Sequence, residues 1–196
     1  PRKEQSYFLH RLGGRVLSRC LFPLGGLLKA ETRVMAASRG LPIRRRPERQ
    51  EICFLSGEDY RTFLERRDRE GVSRGGPIVD ASGRKLGGHR GVFRYTVGQR
   101  RGLGIASDEP YYVVALRPER REVVVGRRGE LLSRRVEAES FVWTSGPSRE
   151  TSLRGRAQIR YRHAASPGRL ERLENDRVRF VFDRAQRAVT PGQALV

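Results

Sequence analysis

Two thiols, Cys20 and Cys53, are the side chains of this 196-residue chain best suited to sulfur chemistry. A cysteine reacts as a thiolate, which requires partial access and cationic neighbours that lower its pKa. Cys53 lies in Gln50-Glu51-Ile52-Cys53-Phe54, just beyond Arg44, Arg45, Arg46 and Arg49, which can supply such a field. Its flanks, Ile52 and Phe54, fit a buried core thiol equally well, so the local sequence leaves both roles open. Cys20 falls in a stretch that reads as helix. Two cysteines exclude a disulfide framework, and the scattered His10, His89 and His163 add no zinc-ligand spacing. His89, in a glycine-rich turn, reads as structural more readily than as a base, and Trp143 as core more readily than as a stacking platform.

Charge points to the partner. Lys and Arg number 41 against 22 Asp and Glu, a formal net charge of +19. A polyanionic partner relieves self-repulsion of that size; nucleic acid is the commonest, an anionic membrane the next. No run approaches the roughly 20 apolar residues of a membrane span, and the first residues lack a signal peptide's apolar core. The arginines are spread along the chain, with no amphipathic helix gathering them for a lipid surface. The expectation is therefore a soluble, cytoplasmic protein that binds no membrane. Only Lys3, Lys29 and Lys85 are lysines. Arginine's planar fork suits phosphate and bases, although an Arg-favouring codon composition explains that preference as well.

The run Gly98-Gln99-Arg100-Arg101-Gly102-Leu103-Gly104 has the glycine density of a phosphate cradle. It lacks the Lys-Ser/Thr ending of a P-loop and its strand–helix setting. It reads as a tight basic loop whose backbone can lie close to RNA phosphates, with a glycine-shaped turn bearing solvated arginines as the alternative.

The elements around these groups change character along the chain. Residues 6–41 read as helical, with Leu9, Leu12, Val16 and Leu17 on one face and Phe22-Pro23-Leu24-Gly25-Gly26 as a break. A second helix over 27–37 stops at Gly40 and Pro42. Residues 44–49 form a charged linker, 50–55 a short strand-like run and 59–67 a short helix. Short β-type runs follow at 76–80, 111–116, 122–126 and 178–182, a spacing that argues for small barrels or sandwiches.

Several motifs stand in a fixed order: Lys3-Glu4-Gln5-Ser6-Tyr7-Phe8-Leu9 with Leu21-Phe22-Pro23-Leu24-Gly25, then Gln50-Glu51-Ile52-Cys53-Phe54, then Gly87-Gly88-His89-Arg90-Gly91 with Tyr95-Thr96-Val97-Gly98-Gln99-Arg100-Arg101-Gly102-Leu103-Gly104-Ile105. Ile159-Arg160-Tyr161-Arg162-His163 and Ala188-Val189-Thr190-Pro191-Gly192-Gln193 complete the series. In that order they make the chain resemble the tRNA-specific 2-thiouridylase (MnmA) family along essentially its whole length. The resemblance implies an α+β, mostly β chain. The helical tail of an α/β PP-loop domain (1–47) precedes a small β-rich central domain with the catalytic cysteine (48–130) and a C-terminal tRNA-binding β-barrel (131–196). It implies an ATP domain and a first catalytic cysteine in front of residue 1, and a short glycine-rich end beyond residue 196.

The same resemblance implies ATP-dependent transfer of persulfide sulfur to C2 of the wobble uridine of tRNAs for Lys, Glu and Gln. ATP with Mg would bind the preceding domain and nothing here. A sulfur-relay protein would load the thiol, and a disulfide bond belongs to the family's chemistry. By position Cys53 matches the persulfide carrier, although Glu48-Arg49 stand where the family has Asp-Ser. Lys3, Glu4 and Gln5 match a tRNA-contacting Lys-Asp-Gln turn, with Glu for Asp lengthening the arm; a helix-capping role is the alternative. Arg160, Tyr161 and Gln193 match further tRNA-contacting positions. Arg160 and Tyr161 could instead alternate along a strand, and Gln193 could simply fill a turn. A non-catalytic tRNA-binding β-barrel module is the competing function, and a reactive Cys53 separates the two.

Overall fold

A computed structural model of the chain describes residues 6–42, 55, 57–68, 73–146, 150–161 and 163–196. The stretch expected to be helical over 6–41 is helical only in pieces: a 3-10 turn at Ser6–Leu9, a single turn α1 at Gly14–Leu17, and α2 at Lys29–Ser38. Leu9 and Leu12 therefore do not share a helix face with Val16 and Leu17. Gly13 is extended, with φ −70° and ψ 162°, and breaks the helix there. Gly14 lies so near the Thr144 carbonyl oxygen that a Cβ would meet it at 2.2 Å. The segment follows the contour of residues 142–144 rather than its own periodicity. Helix α2 opens with the Leu28 N–H donating to Glu31 Oε2 at 2.6 Å and closes at Gly40, whose φ is +66°. Helix α3, Tyr60–Arg67, is capped by Asp59, whose Oδ1 accepts from the Arg61 N–H. A Glu65–Arg94 ion pair ties α3 to the 3-10 turn Val92–Arg94.

The rest of the described chain is mostly β. The first sheet comprises β1 (Gly76–Val79), β2 (Lys85–His89), β3 (Tyr112–Arg117) and β4 (Glu122–Gly126) in the order β2-β1-β4-β3. Strands β1 and β4 run parallel; the outer two pair antiparallel to them. The β-branched run Val123-Val124-Val125 suits a strand with both faces covered. Ile78, Val113, Val123 and Val125 are fully buried and pack with Leu103.

The second sheet is antiparallel throughout, in the order β5-β8-β7-β6, from β5 (Leu132–Ala138), β6 (Ser152–Ala157), β7 (Ser166–Arg172) and β8 (Val178–Arg187). Its register aligns Leu153, Leu170, Phe180 and Val136 in one row across the four strands. Directly opposed residues share a face, so this row turns inward together. Of this row, Val136, Leu170 and Phe180 pack with Ala157, Ile159 and Phe182. Val97, Tyr112, Leu131 and Ala188 form a third cluster that joins the two sheets. Among the described residues no helix is long and apolar enough to cross a membrane.

The strand expected at 111–116 begins one residue later, and the one at 178–182 continues to Arg187. Four strands, β2, β5, β6 and β7, were not foreseen in the sequence. Their Gly, Pro and Arg content, as in Ser166-Pro167-Gly168-Arg169, gives little intrinsic β preference, and partners distant in the chain hold them.

Candidate nucleic-acid interface

Strand β6 stops at Ala157, and the chain bends through 159–161. The alternation that would bury Tyr161 and expose Arg160 therefore does not occur, and both side chains are half-buried. Arg160 Nη2 donates to the carbonyl oxygens of Arg187 and Ala188, at 3.0 Å each. Those carbonyls lie where β8 ends, at Ala188 with its positive φ of 56°. Arginine carries five N–H donors, so this clamp leaves others of the fork available to an acceptor outside the chain.

Ala188 O also accepts from Thr190 Oγ1 at 3.0 Å. Thr190 opens the turn that carries Gln193, closed by a Gln193 N–H to Thr190 O bond of 3.3 Å and by Gly192 at φ +80°. Gln193 is exposed. Arg160 and the Gln193 turn thus share one carbonyl as their hub.

The 3-10 turn Ser6–Leu9 packs onto the same place. The Tyr7 hydroxyl donates to Ala194 O at 2.9 Å, next in sequence to Gln193. The Tyr161 ring centroid is 4.8 Å from Phe8 and 6.0 Å from Tyr7, both pairs tilted. Burial pushes the Tyr7 hydroxyl above the ordinary tyrosine range, and the nearby Arg160 guanidinium works against that rise. Tyr7, Phe8 and Ala194 were not foreseen as part of a site. The two aromatic residues Tyr7 and Phe8, one position beyond Lys3-Glu4-Gln5, were the available signal.

The structure thus brings together Arg160, Tyr161 and Gln193. Lys3, Glu4, Gln5 and Cys53 lie outside the described residues, as do Arg44, Arg45, Arg46 and Arg49. A cationic fork, the half-buried Tyr161 ring beside the exposed Phe8 ring, and an exposed amide form a surface suited to RNA: phosphate for the fork, base faces for the rings.

The loop 98–104 is bracketed against β3, with the Gly98 N–H donating to Val113 O at 2.8 Å and the Val113 N–H donating to Gln99 O at 2.9 Å. It leads to an irregular segment and then to β3, not to a helix, so it is no nucleoside triphosphate cradle. His89 is structural. It is buried, its Nε2 meets Arg121 O at 2.9 Å and its Nδ1 accepts the Gly91 N–H at 3.0 Å. Trp143 is half-buried, edge-on to Phe141 at 4.9 Å. Cys20 is a free thiol whose Sγ lies 3.3 Å from Val16 O. No cluster of potential metal ligands occurs among the described residues.

Three family models match successive parts of the chain. They are a tRNA methyl transferase HUP domain over 1–57, a tRNA methyl transferase PRC-barrel domain over 61–127, and an aminomethyltransferase beta-barrel domain over 133–196. Among similar proteins, the tRNA-specific 2-thiouridylase MnmA of Roseiflexus castenholzii is 47% identical over 99% of this chain and 52% of its own length. The proteins of that name from Geotalea uraniireducens and Koribacter versatilis are 45% and 42% identical, over 100% and 99% of this chain and 52% and 54% of theirs. The chain spans about half the length of the curated relatives it matches. The domain descriptions speak of methyl transfer, whereas the relatives' names specify thiolation. With three successive models and whole-chain similarity in agreement, the chain belongs to the family of tRNA-specific 2-thiouridylases.

Proposed function

We propose that this chain serves a tRNA-uridine 2-sulfurtransferase, presenting sulfur on Cys53 and gripping tRNA through Lys3, Glu4, Gln5, Arg160, Tyr161 and Gln193. The observation that carries the reading is the meeting of Arg160, Tyr161 and the Gln193 turn with Tyr7 and Phe8. Their positions in the chain differ widely, and a phosphate-binding fork beside rings is a reason to assemble them.

In this reading the substrates are tRNAs for Lys, Glu and Gln, and the sulfur reaches Cys53 from a donor protein. ATP, with Mg, is a co-substrate that turns the C2 oxygen of the wobble uridine into a leaving group. The outer sulfur of the Cys53 persulfide then attacks C2, and AMP departs with the oxygen. A second cysteine attacking Cys53 Sγ would release the thiolated base and leave a disulfide. No described residue is assigned to ATP, since loop 98–104 lacks the required setting. Cytoplasmic location fits such a substrate.

The test uses a protein of the relatives' full length with unmodified tRNA, ATP and a sulfur donor. It should form 2-thiouridine and no methylated uridine. Cys53→Ser should reduce thiolation to background while tRNA affinity stays within about twofold. Full thiolation by the serine variant would refute the persulfide role, and tRNA binding without any thiolation by the parent would favour a non-catalytic binding module.

A further inference from the structure

We infer that Arg100 and Arg101, on the loop Gln99–Gly102, extend the RNA-binding surface and take phosphates of the RNA backbone together with Arg187. This rests on the reading of Arg160, Tyr161 and Gln193 as a tRNA interface. Three observations support it.

The first is where charge is left over. Among the described residues, several carboxylates are matched to arginines of the strands and helices. Arg154 pairs with Asp183, Arg177 and Arg179 with Glu137, Arg117 with Glu122, Arg84 with Asp80 and Arg127 with Glu109. Arg100, Arg101 and Arg187 are exposed and form no ion pair with a described residue. An excess positive field is what a polyanion exploits.

The second is continuity. Arg187 Nη2 reaches Gly98 O at 3.4 Å, and its guanidinium carbon sits 5.3 Å from the Tyr112 ring centroid. The Arg187 carbonyl in turn accepts from Arg160. Gly98 is so close to Ala188 that a Cβ would meet Ala188 Cβ at 2.9 Å. The basic loop of the first sheet is thus seated on the end of β8, the same element that Arg160 clamps.

The third is rigidity. The Gln99 side chain accepts from the Thr96 N–H at 3.1 Å and donates to Arg101 O at 2.9 Å, spanning the loop from inside. Val97 and Leu103, on either side, are buried. Two exposed arginines on a loop fixed at both ends lose little backbone freedom when they meet phosphate, which is the advantage of preorganisation.

The experiment measures the affinity of the chain for unmodified tRNA between about 50 and 200 mM salt. It compares the parent with Arg100→Glu/Arg101→Glu, Arg100→Lys/Arg101→Lys and the control Arg135→Glu/Arg169→Glu, whose charges lie in one row of the second sheet. The loop Glu variant should bind at least tenfold more weakly near 100 mM salt, with the slope of log affinity against log salt reduced by roughly 1–2. The control should lose threefold or less, and the Lys variant should recover most of the affinity. Equal losses in loop and control would overturn the inference, because charge alone would then explain both. Parent-like binding by the loop Glu variant would overturn it too, while leaving the tRNA interface standing. A parent chain that binds no tRNA would overturn the interface and this extension together. Matched thermal melts of the parent and the loop Glu variant check that the substitutions act on binding and not on folding.

Discussion

In the stretch 6–42 only Tyr7 is buried, whereas each sheet has an interior of side chains fully withdrawn from water. Leu21 is 89% exposed and Val34 69%, while Phe182 and Val123 are 0%. The sheets are held by area: the strands of the second align an apolar row, and the first packs around Ile78, Val113, Val123 and Val125. The amino-terminal stretch is held by a few discrete contacts, chiefly the Tyr7 to Ala194 bond, the Phe8–Tyr161 rings and the approach of Gly14 to Thr144. Elements held this way open at low free energy cost. The difference teaches that the candidate interface joins a stable platform, Arg160 and the Gln193 turn, to a lightly docked strap.

The contrast can be broken from the platform side first. Phe182→Ala should cost about 3–5 kcal/mol, read as a lower urea midpoint for the whole chain. A loss under 1 kcal/mol would mean that the second sheet does not depend on its core. Gly14→Ala places a Cβ against the Thr144 carbonyl and should cost about 1–3 kcal/mol in docking of the strap. Hydrogen exchange over 6–17 should accelerate while β8 keeps its protection; equal acceleration in both would erase the distinction.

Tyr7→Phe removes one hydrogen bond and should weaken docking by about 1 kcal/mol. Because burial raises the Tyr7 pKa, its contribution is complete below the ordinary tyrosine value of about 10 and is lost as pH climbs through the higher folded value. Strap exchange in the parent should therefore quicken at alkaline pH beyond the intrinsic increase, and the Phe variant should lack that step.

Glu137 works in the opposite direction. Its bond with Arg179, aided by the nearby charges of Arg179 and Arg177, holds the carboxyl below the usual range. Its stabilisation is present above the ordinary carboxylate pKa and disappears as pH falls through the lower folded value. Glu137→Gln should flatten the acid limb of the melting-temperature profile slightly; an unchanged limb would remove Glu137 from it. Leu21→Ser should change stability by no more than about 0.5 kcal/mol. A larger loss would show that the strap's exposed face is covered after all.

The legible parts of the molecule were those whose local chemistry agrees with their final state. Val123-Val124-Val125 and Val178 to Phe182 carry β-branched and aromatic side chains and became strands. Strands β6 and β7 carry Gly155, Pro167 and Gly168, and only pairing with each other and with β8 makes them extended. Gly168 illustrates the point: a Cβ there would meet Phe180 Cε1 and Val181 O at 2.4 Å each. The residue is chosen for a neighbour on another strand, which local pattern does not reveal. The same division holds at the site. Motif order singled out Arg160, Tyr161 and Gln193, but the packing of Tyr7 and Phe8 onto Ala194 and Tyr161 is long-range and left no local periodicity. Loop 98–104 showed its glycines and arginines; its seat against Ala188 required both sheets.

The bond from Tyr7 to Ala194 joins residues 187 positions apart. A contact of that span closes only after the intervening chain has condensed, because the entropy of closure must first be offset by shorter-range structure. During synthesis Tyr7 is made long before Ala194 exists. The surface that gathers around this clasp therefore assembles after the shorter-range structure between its two ends. A nascent chain with its helices and first sheet in place but without Ala194 would lack this clasp, and on the proposed reading its grip on RNA would be weak until that residue arrives.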